Sequence, residues 1–262
     1  MYSHAELYLA YQIANAEIAK FPYPHIYVRD VWPADFYRDL LQALPDSREM
    51  VPIAEARPVT GYKERFVFPL GPDAVGRLPP AKRAFWESLA SWLLGQRFGQ
   101  LVLEKFGPFV KERFKKETRK LDFYSEALLV EDHTGYSLGP HSDAPKKVVT
   151  MLFYLPADAS QADYGTSIYV PNDQNFTCPG GPHYPFDKFG RVRTLPFLPN
   201  TLFAFVKTHN SFHGVEPVVC ADRNRWLLLY DVYGRFIDQP GTPPPAAASP
   251  SAPYAPSAKF TF

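Results

Sequence analysis

Residues 148–155 read VVTMLFYL, an apolar run rich in β-branched and aromatic residues, which is typical of a buried β-strand. Further runs that predict strands follow or precede it, at 127–130, 166–170, 202–206, 213–219 and 226–233. Turn residues such as Gly135, Pro156, Pro171 and Asn200 separate these runs. The series predicts an antiparallel barrel or sandwich in the second half of the chain.

The first part of the chain has a helical pattern. Helices are expected at 3–20, from Trp32 onward, around 81–94 and around 100–116, where Gly107-Pro108 splits or kinks the last one. A short strand is expected at 25–28. The chain is therefore predicted to be one α+β domain over 1–238, with a helical part at about 1–121 and a β part at about 122–238.

Two segments stand apart from these elements. Residues 172–199 form a long connection, which predicts a functional or mobile loop such as a lid over the mouth of the β-structure. Its aromatic residues Tyr184, Phe186 and Phe189 either cap a substrate or pack the loop down. From 239 to 262 the chain is rich in Pro, Ala and Ser, a composition that predicts a disordered or polyproline-like tail.

Composition excludes several partners. Lys and Arg number 28 against 27 Asp and Glu, a net charge of +1, and no basic aromatic groove is evident, so a nucleic-acid partner is not expected. No run of 18 apolar residues predicts a membrane-spanning helix. No secretory signal is visible at 1–6, so we expect a cytoplasmic protein in which Cys178 and Cys220 are free thiols.

The segment Gly139-Pro140-His141-Ser142-Asp143 carries the chemistry. On an extended backbone His141 and Asp143 point to the same face, while Ser142 points away. His213 begins another predicted strand and offers a second imidazole. Two imidazoles and one carboxylate can occupy one face of an octahedral ion and leave three positions open, which suits non-haem Fe(II) chemistry.

Two arginines follow His213. An arginine that points into an apolar β-structure is costly unless it meets an anion, and a dicarboxylate co-substrate would supply one. Arg223 and Arg225 share parity, so alternation does not separate them. We favour Arg225 because the aromatic and aliphatic run begins directly after it. The Lys146-Lys147 pair is expected on a solvated face, and the remaining candidate histidines, His133, His183 and His209, are expected to be polar loop residues.

With these residues the chain resembles the Fe(II)/2-oxoglutarate-dependent oxygenases, in particular their prolyl-hydroxylase branch, from about 127 to 233. The resemblance lies in His141-x-Asp143, in the 213–218 segment with its histidine, and in the arginine after it. Residues 147–155 resemble the strand that follows His-x-Asp in that branch. Tyr154 stands where a tyrosine of the family helps to hold 2-oxoglutarate, and Thr150 lies on the same predicted strand face.

The resemblance implies a double-stranded β-helix (jelly roll) with the N-terminal helices packed on it. It implies that His141, Asp143 and His213 bind Fe(II), and that O2 and 2-oxoglutarate are consumed with release of CO2 and succinate. The implied reaction is hydroxylation of an unactivated C–H bond in an amino acid, a peptide or a small metabolite. The implied co-substrate ligands are Arg225, Tyr154 and Thr150. Halogenation is disfavoured, because the family's halogenases have a small residue at the position of Asp143.

Two positions depart from the family pattern, and two other functional classes stay open. Many members have a tyrosine about ten residues before the first histidine, where this chain has Glu131 or Asp132, with Tyr136 nearby. The common Gly-Gly of the next strand reads Tyr164-Gly165-Thr166. The alternatives are a non-catalytic cupin-type jelly roll that binds a small acid or sugar, and a zinc hydrolase with the same ligands. The chain lacks the His-Glu-x-x-His general base that would favour a hydrolase.

Overall fold

The computed structural model describes residues 4–57, 59, 61–220 and 222–237. The helices are α1 (His4–Asn15), α2 (Ala34–Gln42), α3 (Ile53–Ala56), α4 (Pro72–Val75), α5 (Pro80–Leu93), α6 (Gln96–Lys105) and α7 (Gly107–Phe114). The strands are β1 (His25–Arg29), β2 (Val51–Pro52), β3 (Arg65–Pro69), β4 (Leu121–Asp132), β5 (Leu138–His141), β6 (Lys147–Tyr154), β7 (Ser167–Pro171), β8 (Phe189–Thr194), β9 (Thr201–Val206), β10 (His213–Val215) and β11 (Arg225–Phe236). The tail expected at 239–262 lies outside the described residues.

The strands form two antiparallel sheets. The larger has the order β1-β9-β6-β11-β4-β3-β2, and the smaller has the order β5-β10-β7-β8. From β4 to β11 the first strand pairs with the last, the second with the last but one, and so on inward to the β7–β8 pair. A long hairpin wrapped in this way into two sheets is a double-stranded β-helix, so the predicted fold is confirmed.

The helices cover the outer face of the larger sheet. Along β11, Leu228, Tyr230 and Val232 belong to the core shared with the helices, whereas Leu227 belongs to the core between the sheets. Trp86 of α5 is fully buried in the helical layer and donates its indole N–H to the carbonyl of Ala43 at 2.6 Å. The alternation of β11 therefore separates an outer core from an inner face where polar residues meet.

The N-terminal part is less helical than expected. The strand expected at 25–28 is β1, which pairs with β9, but β2 and β3 also extend the larger sheet beyond β4. The first helix ends at Asn15 and not at Lys20, because Ala19 forms a β-bridge with His25. The expected helix at 100–116 is two helices, and the break falls at Phe106, next to Gly107-Pro108.

The long connection after β7 is not irregular throughout. It contains β8, which pairs with β7. Before β8 and at its first residue, aromatic rings pack the loop onto the smaller sheet: the ring of Phe176 stacks on Phe212 at 5.7 Å, and Phe189 lies 4.9 Å from the same ring. Tyr184 and Phe186 belong to this cluster, so these aromatic residues pack the loop down.

None of the helices in the described ranges has both the length and the apolar character needed to cross a bilayer.

Candidate metal centre

Two strands of the smaller sheet bring the three candidate ligands together. β5 ends at His141 and β10 begins at His213, and these two histidines are partners in register. Asp143 follows two residues after His141 in the turn that leads to β6. One ligand atom from each of the three residues lies within 4.8 Å of the others, and all three side chains are buried. The arrangement converges on a single point where one divalent ion could bind.

Backbone contacts orient both imidazoles. Nδ1 of His141 lies 3.1 Å from the carbonyl oxygen of Gly139, and Nδ1 of His213 lies 3.0 Å from that of Ser211. Because a carbonyl oxygen only accepts, each Nδ1 carries the proton and each Nε2 presents a lone pair. Nε2 of His141 lies 3.8 Å from Oδ1 of Asp143, which places that lone pair beside the carboxylate.

The charge states also suit a metal. Burial and the neighbouring His213 lower the pKa of His141 to about 3, and burial lowers the pKa of His213 from its ordinary value. Burial opposes ionisation of Asp143, but Lys147 and the two imidazoles hold the pKa of its carboxyl below the ordinary value. At neutral pH the centre therefore has two neutral imidazoles and one carboxylate, the forms that bind a divalent cation.

Three further polar side chains, those of Thr150, Lys147 and Asp231, lie around Asp143. Thr150, a candidate co-substrate ligand, donates its hydroxyl to Oδ2 of Asp143 at 2.7 Å. The prediction that Lys147 is solvated is wrong: its side chain is 13% exposed, and Nζ lies 3.5 Å from Oδ1 of Asp143 and 2.9 Å from Oδ1 of Asp231. Asp231, for which the sequence offered no signal beyond its position within the last strand, is opposite Thr150 in the β6–β11 register.

Burial distinguishes the two candidate arginines, Arg223 and Arg225. Arg223 precedes β11 and forms an exposed ion pair with Asp158 at 2.9 Å. Arg225 begins β11 and is 1% exposed, with its side chain on the inner face. Its Nη1 donates to Oδ2 of Asp132 at 2.7 Å, and its Nε donates to the carbonyl of Tyr164 at 2.7 Å. The sequence predicts an anionic partner for Arg225, and the carboxylate of Asp132 is one such partner within the chain itself.

A second arginine shares this carboxylate. Arg65 of β3 donates from Nε to Oδ1 of Asp132 at 2.6 Å and from Nη2 to Oδ2 at 2.9 Å. The guanidiniums of Arg65 and Arg225 carry two positive charges and Asp132 carries one negative charge, so this cluster has a net positive charge in the protein interior. Arg65 was not predicted as a site residue; the alternating pattern Arg65-Phe66-Val67-Phe68, with every second residue facing inward, was the available signal.

Residues near the two arginines carry hydroxyls with unused hydrogen-bonding capacity. The phenol oxygen of Tyr136 and Oγ1 of Thr166 are buried and have no hydrogen-bond partner among the described residues. The hydroxyl of Tyr154 accepts from the backbone N–H of Thr166 at 3.2 Å, and its ring centroid lies 5.9 Å from the guanidinium carbon of Arg225. Arg225 has five N–H donors, more than its two bonds use. A further carboxylate, such as the distal one of 2-oxoglutarate, fits this donor set.

The loop before β8 reaches the metal centre. The ring of His183 lies 4.6 Å from that of His141, and its Nδ1 is hydrogen-bonded to the hydroxyl of Tyr62. The N–H of Tyr184 donates to the carbonyl of Pro140 at 3.0 Å, which ties the loop to the ligand segment. The expectation that His183 is only a polar loop residue missed this contact, since nothing in the loop sequence marks which ring turns toward His141.

Comparisons with known proteins gave structural matches only. No family model and no curated protein matches the chain. Solved structures that it resembles include a prolyl-4-hydroxylase from Pseudomonas putida (19% identity, 86% of this chain and 98% of that one, TM-score 0.48). A prolyl hydroxylase from Trichoplax adhaerens, solved with a hypoxia inducible factor peptide fragment, matches at 15% identity over 87% and 88%, with a TM-score of 0.49.

A third match is the epimerase SnoN in complex with Fe3+, alpha ketoglutarate and nogalamycin RO, at 14% identity over 97% of this chain and 94% of that one, with a TM-score of 0.49. Solved structures of 2-oxoglutarate-dependent iron oxygenases are thus among those that this chain resembles. Each of these TM-scores is below 0.5.

Proposed function

We propose that the protein is an Fe(II)- and 2-oxoglutarate-dependent dioxygenase that hydroxylates an unactivated C–H bond. The observation that carries the proposal is the convergence of His141, Asp143 and His213, with both Nδ1 atoms held by backbone carbonyls. Fe(II) bound there with 2-oxoglutarate would use O2 as the oxidant: one oxygen atom would enter succinate as the co-substrate loses CO2, and the other would enter the C–H bond as a hydroxyl.

The chain's own groups would prepare the centre for this reaction. Thr150 donates its hydroxyl to Oδ2 of Asp143, which orients the carboxylate. The ring of Phe205 lies 4.4 Å from that of His213 and keeps water from that side of the imidazole. We assign the distal carboxylate of 2-oxoglutarate to the free N–H groups of Arg225 and the hydroxyls of Tyr154 and Thr166. Thr150 would influence 2-oxoglutarate binding indirectly, because its hydroxyl is hydrogen-bonded to Asp143.

The first experiment tests the metal and the co-substrate together. Anaerobic addition of Fe(II) and then 2-oxoglutarate to the folded protein should produce a visible charge-transfer band, and added O2 should release succinate. Asp143→Ala should abolish both signals while circular dichroism shows an intact fold, because the change removes a ligand and little core volume. Succinate formation by the Asp143→Ala protein would overturn the ligand assignment.

The second experiment tests the carboxylate anchor. Arg225→Met should weaken 2-oxoglutarate binding by about tenfold or more, the effect of losing a charge-assisted hydrogen bond of about 1.5–3 kcal/mol. Arg223→Met is the matched control, since Arg223 is exposed and pairs with Asp158. Equal losses in the two variants, or no loss in Arg225→Met, would contradict the assignment.

A second candidate function is a non-catalytic jelly-roll module that binds a small acid. The observation in its favour is that Arg225 and Arg65 share one carboxylate, Asp132, so the excess positive charge would attract an acid whether or not a metal is bound. Such a module would bind 2-oxoglutarate or succinate with an affinity that added Fe(II) does not change. The oxygenase, by contrast, should bind 2-oxoglutarate more tightly once Fe(II) is present, because the 2-oxo acid then contacts the metal as well.

We further propose that the primary substrate is an amino acid, a peptide or a small metabolite, and that it approaches beside Tyr62 and His183, where an exposed loop contacts His141. A screen of such compounds for stimulated succinate release would identify the class. A cytoplasmic location is proposed on the two free thiols, Cys178 and Cys220, and localisation of a tagged chain would test it.

A further inference from the structure

We propose that Asp231 controls metal affinity by holding the ammonium of Lys147, so that the carboxylate of Asp143 stays available to the metal. The inference requires only that His141, Asp143 and His213 bind a divalent ion, and it does not depend on 2-oxoglutarate. Asp231 and Lys147 would then be positioning residues that act through Asp143.

The distances show a preference between two carboxylates. Nζ of Lys147 lies 2.9 Å from Oδ1 of Asp231 and 3.5 Å from Oδ1 of Asp143. A single ammonium therefore stands between two acids and is closer to the one that is not a candidate ligand. Oδ1 of Asp143 is also the oxygen that lies 3.8 Å from Nε2 of His141, so Lys147 and a bound metal would compete for the same oxygen.

The position of Asp231 is set by the sheet. Asp231 is opposite Thr150 in the β6–β11 register, and Thr150 holds the other oxygen of Asp143. The hydroxyl of Tyr233 donates to Oδ2 of Asp231 at 3.1 Å, and Arg57 donates from Nη1 to that hydroxyl at 3.1 Å. These contacts keep the second carboxylate within reach of Lys147.

Burial makes the competition matter. Asp231 is 1% exposed and Asp143 is 7% exposed, so charges in this region interact through protein more than through water. An ammonium with no acid other than Asp143 would oppose a dication at the same carboxylate. With Asp231 present, Lys147 and Asp231 form a neutral pair, and Asp143 offers its negative charge to the metal.

The proposal predicts effects of opposite sign for the two partners. Asp231→Asn should weaken Ni(II) binding by about tenfold or more, because Lys147 then has only Asp143 as an acid. Lys147→Gln should tighten Ni(II) binding, because the competing cation is gone. The double variant Lys147→Gln/Asp231→Asn should bind Ni(II) close to the wild-type affinity. Lys146→Gln, a change in the exposed neighbour that lies over the ring of Tyr233, should leave affinity unchanged.

Isothermal titration with Ni(II) alone, on full-length protein whose fold is checked by circular dichroism, measures these affinities. A purely structural role for the pair predicts weaker binding in both single variants, so weaker or unchanged binding by Lys147→Gln overturns the proposal. Unchanged binding by a folded Asp231→Asn also overturns it; if that variant does not fold, the sign of the Lys147→Gln effect decides. Failure of the wild-type protein to bind Ni(II) would instead contradict the metal centre itself.

Discussion

Arg225 and Asp132 face each other across β11 and β4 in register, with Nη1 of the arginine 2.7 Å from Oδ2 of the aspartate. Both side chains are buried at the inner face of the larger sheet. Asp132 also receives two hydrogen bonds from Arg65, so one carboxylate balances one of two guanidiniums. The uncompensated positive charge is the strongest reason to expect an anionic ligand in the interior of this fold.

Removing the negative charge of Asp132 should destabilise the protein and increase its response to dicarboxylates. Asp132→Asn is expected to lower the free energy of unfolding by about 3–5 kcal/mol, because it leaves two buried guanidiniums without a counter-charge. Added succinate or 2-oxoglutarate should then raise the melting temperature more in the variant than in the wild type. Urea unfolding and thermal scans, with and without the dicarboxylate, measure both effects.

The matched control for Asp132 is the exposed ion pair of Arg223 with Asp158. Asp158→Asn should cost less than about 1 kcal/mol, because both partners are more than half exposed and water screens them. If Asp132→Asn and Asp158→Asn lower the free energy of unfolding by the same amount, the buried cluster of Arg65, Asp132 and Arg225 does not stabilise the protein as proposed.

Gly180 is expected to be required for the contact between the loop and the ligand segment. Its φ is +124°, and a Cβ there would lie 2.1 Å from the backbone oxygen of Asp143. Gly180→Ala should therefore push the loop and Asp143 apart, and it should weaken Ni(II) binding as well as lower the melting temperature. Gly181→Ala is the control: its φ is +122°, but nothing lies within 4 Å of its Cβ. Equal effects on Ni(II) affinity would show that backbone strain alone, and not the contact with Asp143, matters.

The burial of Lys207 should make stability depend on pH in a defined window. Burial lowers the pKa of Lys207 to about 8, against an ordinary value of 10.5 in the unfolded chain. Between these values the unfolded state binds more protons, so this residue's contribution to stability rises with pH from about 8 to about 10.5. Lys207→Met should remove the cost of the buried charge, and should stabilise the protein more at pH 7 than at pH 10.5.

Urea unfolding of the wild type and the Lys207→Met protein at pH 7, 8.5 and 10.5 isolates this contribution, because every other titrating group is common to both. A stability difference that does not change across the three pH values would show that Lys207 has an ordinary pKa in the folded protein.

His183 should shield the metal centre without binding the ion. Its ring lies 4.6 Å from the ring of His141, yet the side chain is itself exposed. His183→Ala should leave Ni(II) affinity and melting temperature nearly unchanged while EDTA extracts the metal several-fold faster. His209→Ala, a change of another exposed histidine, should not alter the extraction rate. A large loss of Ni(II) affinity in His183→Ala would instead indicate that His183 is a ligand.

Short-range patterns in the sequence predict the fold and the ligand set. Continuous apolar runs rich in β-branched and aromatic residues mark β6, β9 and β11. An extended His141-x-Asp143 places two ligands on one face whatever the rest of the chain does. β3 and β8 were not expected, since β3 is five residues long and ends in Pro69, while β8 carries exposed polar residues inside a loop-like composition.

The apolar strands β6, β9 and β11 and the spacing of His141 and Asp143 are local properties, and the sequence alone determined them. Which charges meet is not local. Arg65 and Asp132 become partners because β3 and β4 are adjacent in the sheet, and Lys147 has a second acid beside it because β6 pairs with β11, which carries Asp231. The tertiary structure also distinguished Arg225, which begins β11 and is buried, from Arg223, which precedes the strand and is exposed. The sequence could not do so, because the two residues are two positions apart and would point to the same side of an extended strand. A buried charge is stable only beside its counter-charge, and strand pairing decides which counter-charge is near.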